Sequence, residues 1–237
     1  MGVVTVSRRD KEYPRYRILK RLAADVRLQK PLYLLLPFSK RKFPMLWLRR
    51  RRVLHDFFVS DFDGYVNDRR KGPWFAPSAL WKYLLDWWSF HGSDALLADT
   101  ATHLRHWESL FGRYRGEVLV FPVLADETRY RPSDVVPGRD VPRLLYYGYF
   151  IPLHGVDVML RALSICEARG LRFRADFIGT GQKLPESLAL AKQLELRQVH
   201  FNRALIPAGD LSPGVREGDL VLGIFGRNQQ SKVGETE

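Results

Sequence analysis

The sequence predicts an α/β protein of two successive parallel-sheet domains, the second of them incomplete. Three observations carry this. Short apolar runs of strand length alternate with stretches whose apolar residues recur at helical spacing, the pattern of strands joined by crossover helices. The alternation stops between Asp126 and Asp140, a polar segment with Pro132, Pro137 and Gly138 and no periodicity, and then restarts. After the restart, residues 141–237 supply only four strand-length runs. A doubly wound domain needs five or six strands and on the order of 150 residues.

Val3–Ser7 is the first strand, and Pro14–Leu28 a basic helix. Tyr33–Phe38 and Val53–Val59 are compact apolar strands. In Pro77–His91, the residues Leu80, Tyr83, Leu84, Trp87 and Trp88 share one helical face. Ala95–Ala98 is a short strand leading into a helix over Ala101–Phe111, and Glu117–Leu124 is a strand interrupted by Pro122. Residues 1–125 thus form a first domain, 126–140 a linker and 141–237 a second domain. There Arg143–Phe150 is a strand, and Val156, Met159, Leu160, Leu163 and Cys166 mark a helix that Gly170 can terminate. Ala175–Ile178 is a strand closed by Gly179-Thr180-Gly181. A helix follows from Pro185, well suited to a first turn, to Leu196. Val199–Asn202 and Asp219–Phe225 are the last two strands.

The single cysteine, Cys166, excludes a disulfide framework and any thiolate metal cluster. No apolar run approaches the roughly 20 residues that cross a bilayer. Met1–Ser7 lacks a basic leader with a long apolar stretch, so the expected compartment is the cytoplasm. Charge is polarised along the chain. Residues 1–72 hold 19 Lys/Arg against 7 Asp/Glu, whereas residues 73–237 hold 19 against 19. The net +12 therefore sits in the first third, including Lys40-Arg-Lys42 and Arg49–Arg52. Such a surface attracts phosphates, whether on nucleic acid, anionic lipid or a lipid-linked substrate. The Gly179-Thr180-Gly181 turn lacks the third glycine of a dinucleotide fingerprint, and no Gly-x-x-x-x-Gly-Lys-Ser/Thr phosphate loop occurs.

Tyr147-Gly-Tyr-Phe-Ile-Pro-Leu-His-Gly-Val-Asp157, then Phe177-Ile-Gly-Thr-Gly-Gln182, Val199-His-Phe201 and Asp219-Leu-Val-Leu-Gly-Ile-Phe-Gly226, resembles in order and spacing the donor domain of glycosyltransferase family 4. Upstream, Ser93–His103 resembles the family's sugar-site strand and helix, and Phe121–Pro132 the segment leading to its interdomain linker. The first half is compressed between Leu28 and Tyr33. The resemblance implies the GT-B architecture, two Rossmann-like domains, here with an incomplete C-terminal one. It implies an acceptor in the first domain, a UDP- or GDP-sugar as co-substrate in the second, and retaining transfer with no bound cofactor or metal. The partners it implies are the nucleotide-sugar and a glycan or lipid-linked acceptor. The basic first domain suits an anionic membrane surface, with the protein peripheral on its inner face.

A glycosyl transfer develops charge on the leaving pyrophosphate, which backbone amides at a glycine turn before a helix can stabilise. Gly148 and Gly155 fit such a cradle, with Gly179, Gly181 and Gln182 in the neighbouring turn. Where the family places Arg and then Lys, this chain has Tyr149 and His154, the first uncharged and the second charged only when protonated. On the acceptor side, His55 and Asp56 end a strand and are the catalytic candidates, with Asp61 and Asp63 in the loop beyond. The same carboxylates could instead cap the next segment or pair with Arg69 and Arg70. Asp99 and His103, with Thr100, are acceptor or sugar contacts, and Asp99 alternatively the cap of its helix. His91, His106 and His200 show no ligand spacing and read as structural or surface residues. Trp47, Trp74, Trp81, Trp87 and Trp88 lie near the basic region as interface anchors or, on the 77–91 helix, as core.

The family continues past its fourth strand into a segment with two glutamates for the donor sugar and ribose. Here Gly226 is followed by Arg-Asn-Gln-Gln-Ser-Lys-Val-Gly-Glu-Thr-Glu237, and Glu235 and Glu237 stand in a different context. The expectation is weakened donor binding, or a catalytically dead remnant. The alternative is a basic nucleic-acid-binding protein without enzymatic activity. The +12 charge and interleaved aromatics motivate it; the lack of a recognition module disfavours it.

Overall fold

Two all-parallel sheets organise the computed structural model, which describes residues 2–6, 14–123, 140–204 and 212–226. The chain divides into two compact units, Met1–Ala125 and Asp126–Glu237. Except for Asp140, the expected linker lies outside the described residues. Both units are Rossmann-like in build: parallel strands joined through helices.

In the first unit, β1 (Val3–Val6), β2 (Leu32–Leu35), β3 (Arg52–Asp56), β4 (Ala95–Ala98) and β5 (Glu117–Val120) pair in chain order. The connecting helices are α1 (Pro14–Asp25), α2 (Phe43–Leu48), the single turn α3 (Asp61–Asp63), α4 (Pro77–His91) and α5 (Ala101–Phe111). Because helices cover both faces, β2 reads as a continuous apolar run rather than an alternating one. Leu34 and Leu36 pack with Tyr16, Leu19 and Ala23 of α1, whereas Leu35 packs with Phe43 and Leu46 of α2 and Val53. Phe57, Leu96 and Ala98 meet Phe90 of α4 and Trp107 and Phe111 of α5 on that same second face.

This arrangement has a topological consequence. Every step from β1 to β5 moves across the sheet in one direction, so connections on opposite faces have opposite hands. The β1–α1–β2 connection, on one face, is therefore opposite in hand to the β2–α2–β3 connection on the other. It falls where the sequence is compressed, between Leu28 and Tyr33. The predicted helix also stops early, at Asp25, and Arg27 bridges to Gly2 instead.

In the second unit, β6 (Arg143–Tyr147), β7 (Arg174–Ile178), β8 (Val199–Asn202) and the two-residue β9 (Leu220–Val221) assemble in the order β8-β7-β6-β9. Helices α6 (Val156–Ala168) and α7 (Leu184–Gln193) bury one sheet face around Tyr146, Leu160, Phe177 and Phe150. Helix α8 (Ser212–Glu217) precedes β9. The other face bears the exposed Arg174–Asp176 pair and His200 beside a cavity of about 370 Å³. The strand predicted over Asp219–Phe225 shortens to β9. Its remainder leaves the sheet, with Phe225 and Gly226 amides donating to the carbonyls of His154 and Leu153.

Candidate functional site

Reversal of strand order makes the β6–β9 boundary of the second unit a topological switch point, where open α/β sheets bind ligands at the carboxyl ends of their strands. The bend that follows β6 lies there. After Tyr147 the chain runs through Gly148 and Tyr149 into a tight turn over Pro152–His154, and Gly155 starts α6. Gly155 is left-handed, with φ +61°, and a Cβ there would overlap the backbone of Phe225 and Gly226. Only glycine lets the bend and the segment after β9 meet. At the start of α6 the Gly155 amide donates to Pro152 O and the Val158 amide to Gly155 O, and the helix end remains anion-favouring through its dipole.

The second glycine turn is knitted to the first. Phe150 N donates to Thr180 O at 2.9 Å, Lys183 N to Phe150 O at 2.8 Å, and Gly148 N to Ile178 O at 3.0 Å. A Cβ on Gly179 would overlap the Gly148 carbonyl, and one on Gly181 the backbone of Phe150. These two glycines serve the approach of one loop to another. Tyr149 and Gln182 are exposed. The structure therefore gathers the whole predicted donor set around one bend.

His154 is held by a residue the sequence reading passed over. Its Nδ1 lies 2.7 Å from the hydroxyl of Tyr146, which also reaches the Tyr149 carbonyl at 3.0 Å. Burial pulls the imidazole below its ordinary pKa, against a hydrogen bond toward Tyr149, so it is neutral at pH 7. Burial pushes the Tyr146 phenol up, keeping its proton. With that proton on Nδ1, Nε2 carries hydrogen and donates; with it on the Tyr149 carbonyl, Nε2 is an acceptor. Tyr146 could have been singled out only by knowing that His154 folds back over Gly148.

In the first unit, the carboxyl ends of β3 and β4 carry the predicted acceptor residues, and here the structure corrects two of them. Asp56 is fully buried, and Arg15 of α1 binds it through Nε at 3.1 and 2.9 Å and Nη2 at 2.8 Å. Burial pushes this carboxyl up while the guanidinium pulls it down. His55 is equally buried on the opposite face, its Nδ1 facing Ser89 O at 3.3 Å. Burial first, then the charge of Lys40, lowers it to about 3 against the Ser89 contact, so it stays neutral. Neither side chain presents an atom to an acceptor; their chemistry is internal.

Lys40 is a further correction. Rather than joining the basic surface, it is buried against Asp86 of α4 at 2.5 Å and the Val59 carbonyl, 4.3 Å above the Phe57 ring. Asp86 also accepts from Ser60 Oγ at 2.7 Å and Phe62 N at 2.8 Å. Ser60 in turn caps the Asp61–Asp63 turn by accepting from Asp63 N at 2.9 Å. The loop beyond β3 is thereby fixed. Asp61 is half-buried there and Asp63 fully buried.

Around this loop a carboxylate–imidazole cluster forms. Thr100 caps α5 by accepting from His103 N at 3.0 Å, which frees Asp99 from the capping role. Asp99 instead pairs with Nδ1 of His103 at 2.7 Å, and His103 stacks on Trp107. One turn on, Nε2 of His106 meets Asp63 at 3.1 Å, so this histidine belongs to the cluster rather than to the surface. Asp68, in the π-helical turn Gly64–Asp68, was not anticipated. Burial and the charge of Asp63 raise it to about 7, with Arg69, His106 and His103 opposing. The spacing of His103 and His106 on one helical face was the available signal. Among the described residues, no group of three or more His, Cys, Asp or Glu could hold a metal ion.

A pH test follows from Asp68. Its folded pKa, about 7, lies above the ordinary 3.8, so the folded state holds this proton more tightly. That contribution to stability is complete below pH 3.8 and is lost as pH rises to about 7. Urea unfolding across this range should show a declining component that Asp68→Asn removes. An unchanged profile in the variant would assign the decline to other groups.

No family model matches the chain. It is 31% identical over 122 residues to D-inositol 3-phosphate glycosyltransferase of Nocardia farcinica, covering 45% of this chain and 27% of that protein. Among solved structures, sucrose-phosphate synthase from Thermosynechococcus elongatus superposes with a TM-score of 0.62 at 14% identity, covering 89% of this chain and 55% of that one. The pneumococcal O-GlcNAc transferase GtfA, solved with UDP and GlcNAc, gives 0.57 at 11% identity, over 86% of this chain and 38% of that one. The chain thus spans about a quarter of the curated relative and between about two fifths and just over half of these solved structures.

Proposed function

From the GT-B glycosyltransferase fold of this chain we propose that it moves a sugar from a nucleotide-sugar to a glycan or lipid-linked acceptor, with retention. The observation that carries this is the reversal of strand order at the Gly148–Gly155 bend. The pyrophosphate of a UDP- or GDP-sugar lies over the bend, accepting from the first amides of α6 and from Nε2 of His154. As the glycosyl bond breaks, negative charge grows on the leaving phosphate and these donors gain strength without reorganising. Tyr149 and a neutral His154 bring no fixed positive charge, so stabilisation rests on dipoles and affinity is low. In the first unit, the partly exposed His103, held by Asp99, receives acceptor hydroxyls, with the half-buried Asp61 on the loop beyond the adjacent strand. The buried Asp63 holds His106. Asp68, titrating at about 7, can take a proton at neutral pH. A free cysteine and the basic first third support a cytoplasmic, membrane-surface location. No described helix is long and apolar enough to cross a membrane.

Calorimetric titration of the chain with UDP, GDP and their glucose conjugates tests the reading. One nucleoside diphosphate should bind with an affinity near about 1 mM or somewhat tighter, and His154→Ala should weaken it severalfold. Absence of heat for every nucleotide, or binding indifferent to His154, would overturn the donor assignment.

A further inference from the structure

Helix α4 is apolar on both sides. Its inner side buries Leu85 and Phe90, but the outer side, which should be polar in a helix covered on one face only, carries Leu80, Trp81, Leu84 and Trp87 in the open. Helix α2 extends this surface. Trp88 makes edge contacts with Phe43 at 5.8 Å and Trp47 at 5.4 Å, which fixes α2 beside α4. Trp47 is half exposed and Leu48 is 71% exposed. The apolar turn is bracketed by cations: Arg41 and Lys42 precede it and Arg49–Arg52 follow, all exposed. Arg49, Arg50 and Arg52 make no ion pair among the described residues, and Arg51 lies over the Tyr33 ring.

We propose that this α2–α4 face docks the protein on an anionic lipid bilayer, tryptophans and leucines entering the headgroup boundary and the arginine run lying among lipid phosphates. Tryptophan favours that boundary because its ring is apolar and its N–H polar, and each basic side chain near an anionic surface adds about 1 kcal/mol. Lipid fits better than the other occupants. Bases could stack on the tryptophans, but the exposed Leu48, Leu80 and Leu84 of the same face offer nothing to a base and suit lipid chains. A second copy on the same face would bring two Arg49–Arg52 runs together under two-fold symmetry. The inference adds the docking surface to the activity proposed above but rests on residues of the first unit alone.

Co-sedimentation with vesicles of phosphatidylcholine, with and without phosphatidylglycerol, tests it. The protein should pellet with the anionic vesicles, less so at high salt, and stay in solution with the neutral ones. Trp47→Ser/Trp81→Ser/Trp87→Ser and a variant with Arg49–Arg52 changed to serine should each lose about tenfold or more in partitioning. Should a variant fail to fold, quenching of wild-type tryptophan fluorescence by brominated lipid in anionic vesicles decides instead. Failure to bind anionic vesicles, binding unaffected by both variants, or unquenched tryptophans would overturn the proposal. So would single-stranded DNA that displaces the protein from vesicles and depends on the same side chains. Nucleotide titration of the same variants separates the two readings, since donor binding should be unchanged in both.

Discussion

Replacing Arg15 by alanine will cost the first unit about 3–5 kcal/mol of stability, the loss expected when one member of a buried ion pair is removed. Arg15 and Asp56 are essentially inaccessible to water. The guanidinium also donates to the Phe121 carbonyl at 2.5 Å and lies between the Phe58 and Phe121 rings, at 5.3 and 5.0 Å. Without it, a carboxylate stays buried with no counter-charge, and the Phe121 carbonyl loses its donor. The carboxyl can escape by binding a proton, so the deficit should shrink as pH falls. A double variant, Arg15→Met with Asp56→Leu, should recover most of the loss because no lone charge remains. Urea unfolding followed by tryptophan fluorescence measures all three proteins. A single-variant cost under about 1 kcal/mol would mean the pair is hydrated and the burial misjudged.

Gly179→Ala should damage the second unit by about 3–4 kcal/mol or more. Gly179 has φ +137°, and the atom an added Cβ would strike is the Gly148 carbonyl, a backbone group that cannot swing aside. Relief requires separating the two loops and breaking the Phe150–Thr180 hydrogen bond. Gly170 is the internal control. Its φ is +73°, yet nothing lies within 4 Å of its would-be Cβ, so Gly170→Ala should cost only the left-handed penalty of about 1–2 kcal/mol. Thermal melting and amide protection in β6 and β7 compare the two. Equal losses would show that the loops part easily and that the bend is not rigid.

The contrast between what the sequence disclosed and what it withheld has a physical basis. Strands of apolar runs, such as Arg143–Tyr147 and Ala175–Ile178, and the α5 and α6 helices were legible because periodicity records which face is buried. The glycines of the bend were legible because only glycine fits their turns. Pairings across the sheet were not. Lys40 sits beside Arg41 and Lys42 in sequence, and only its partner Asp86, 46 positions away, turns it inward. Asp56 looked like a strand-end ligand because Arg15, 41 positions earlier, cannot be matched to it by spacing. Asp68 entered the carboxylate–imidazole cluster through an unpredicted π-helical turn, and His106 through Asp63, 43 positions away. The sequential strand order of the first unit was also hidden, since a strand's neighbours leave no local trace.

The β1–α1–β2 connection, opposite in hand to the one that follows it, gives α1 a separate standing in the fold. Among the described residues it is the helix that roofs Leu34, Leu36 and Leu97, and its anchor to β3 is the Arg15–Asp56 pair. Partial loosening would strand two charges in hydrocarbon before any water arrived to solvate them. The lid over that face should consequently lift as one piece, with its amides exchanging in concert rather than fraying from an end.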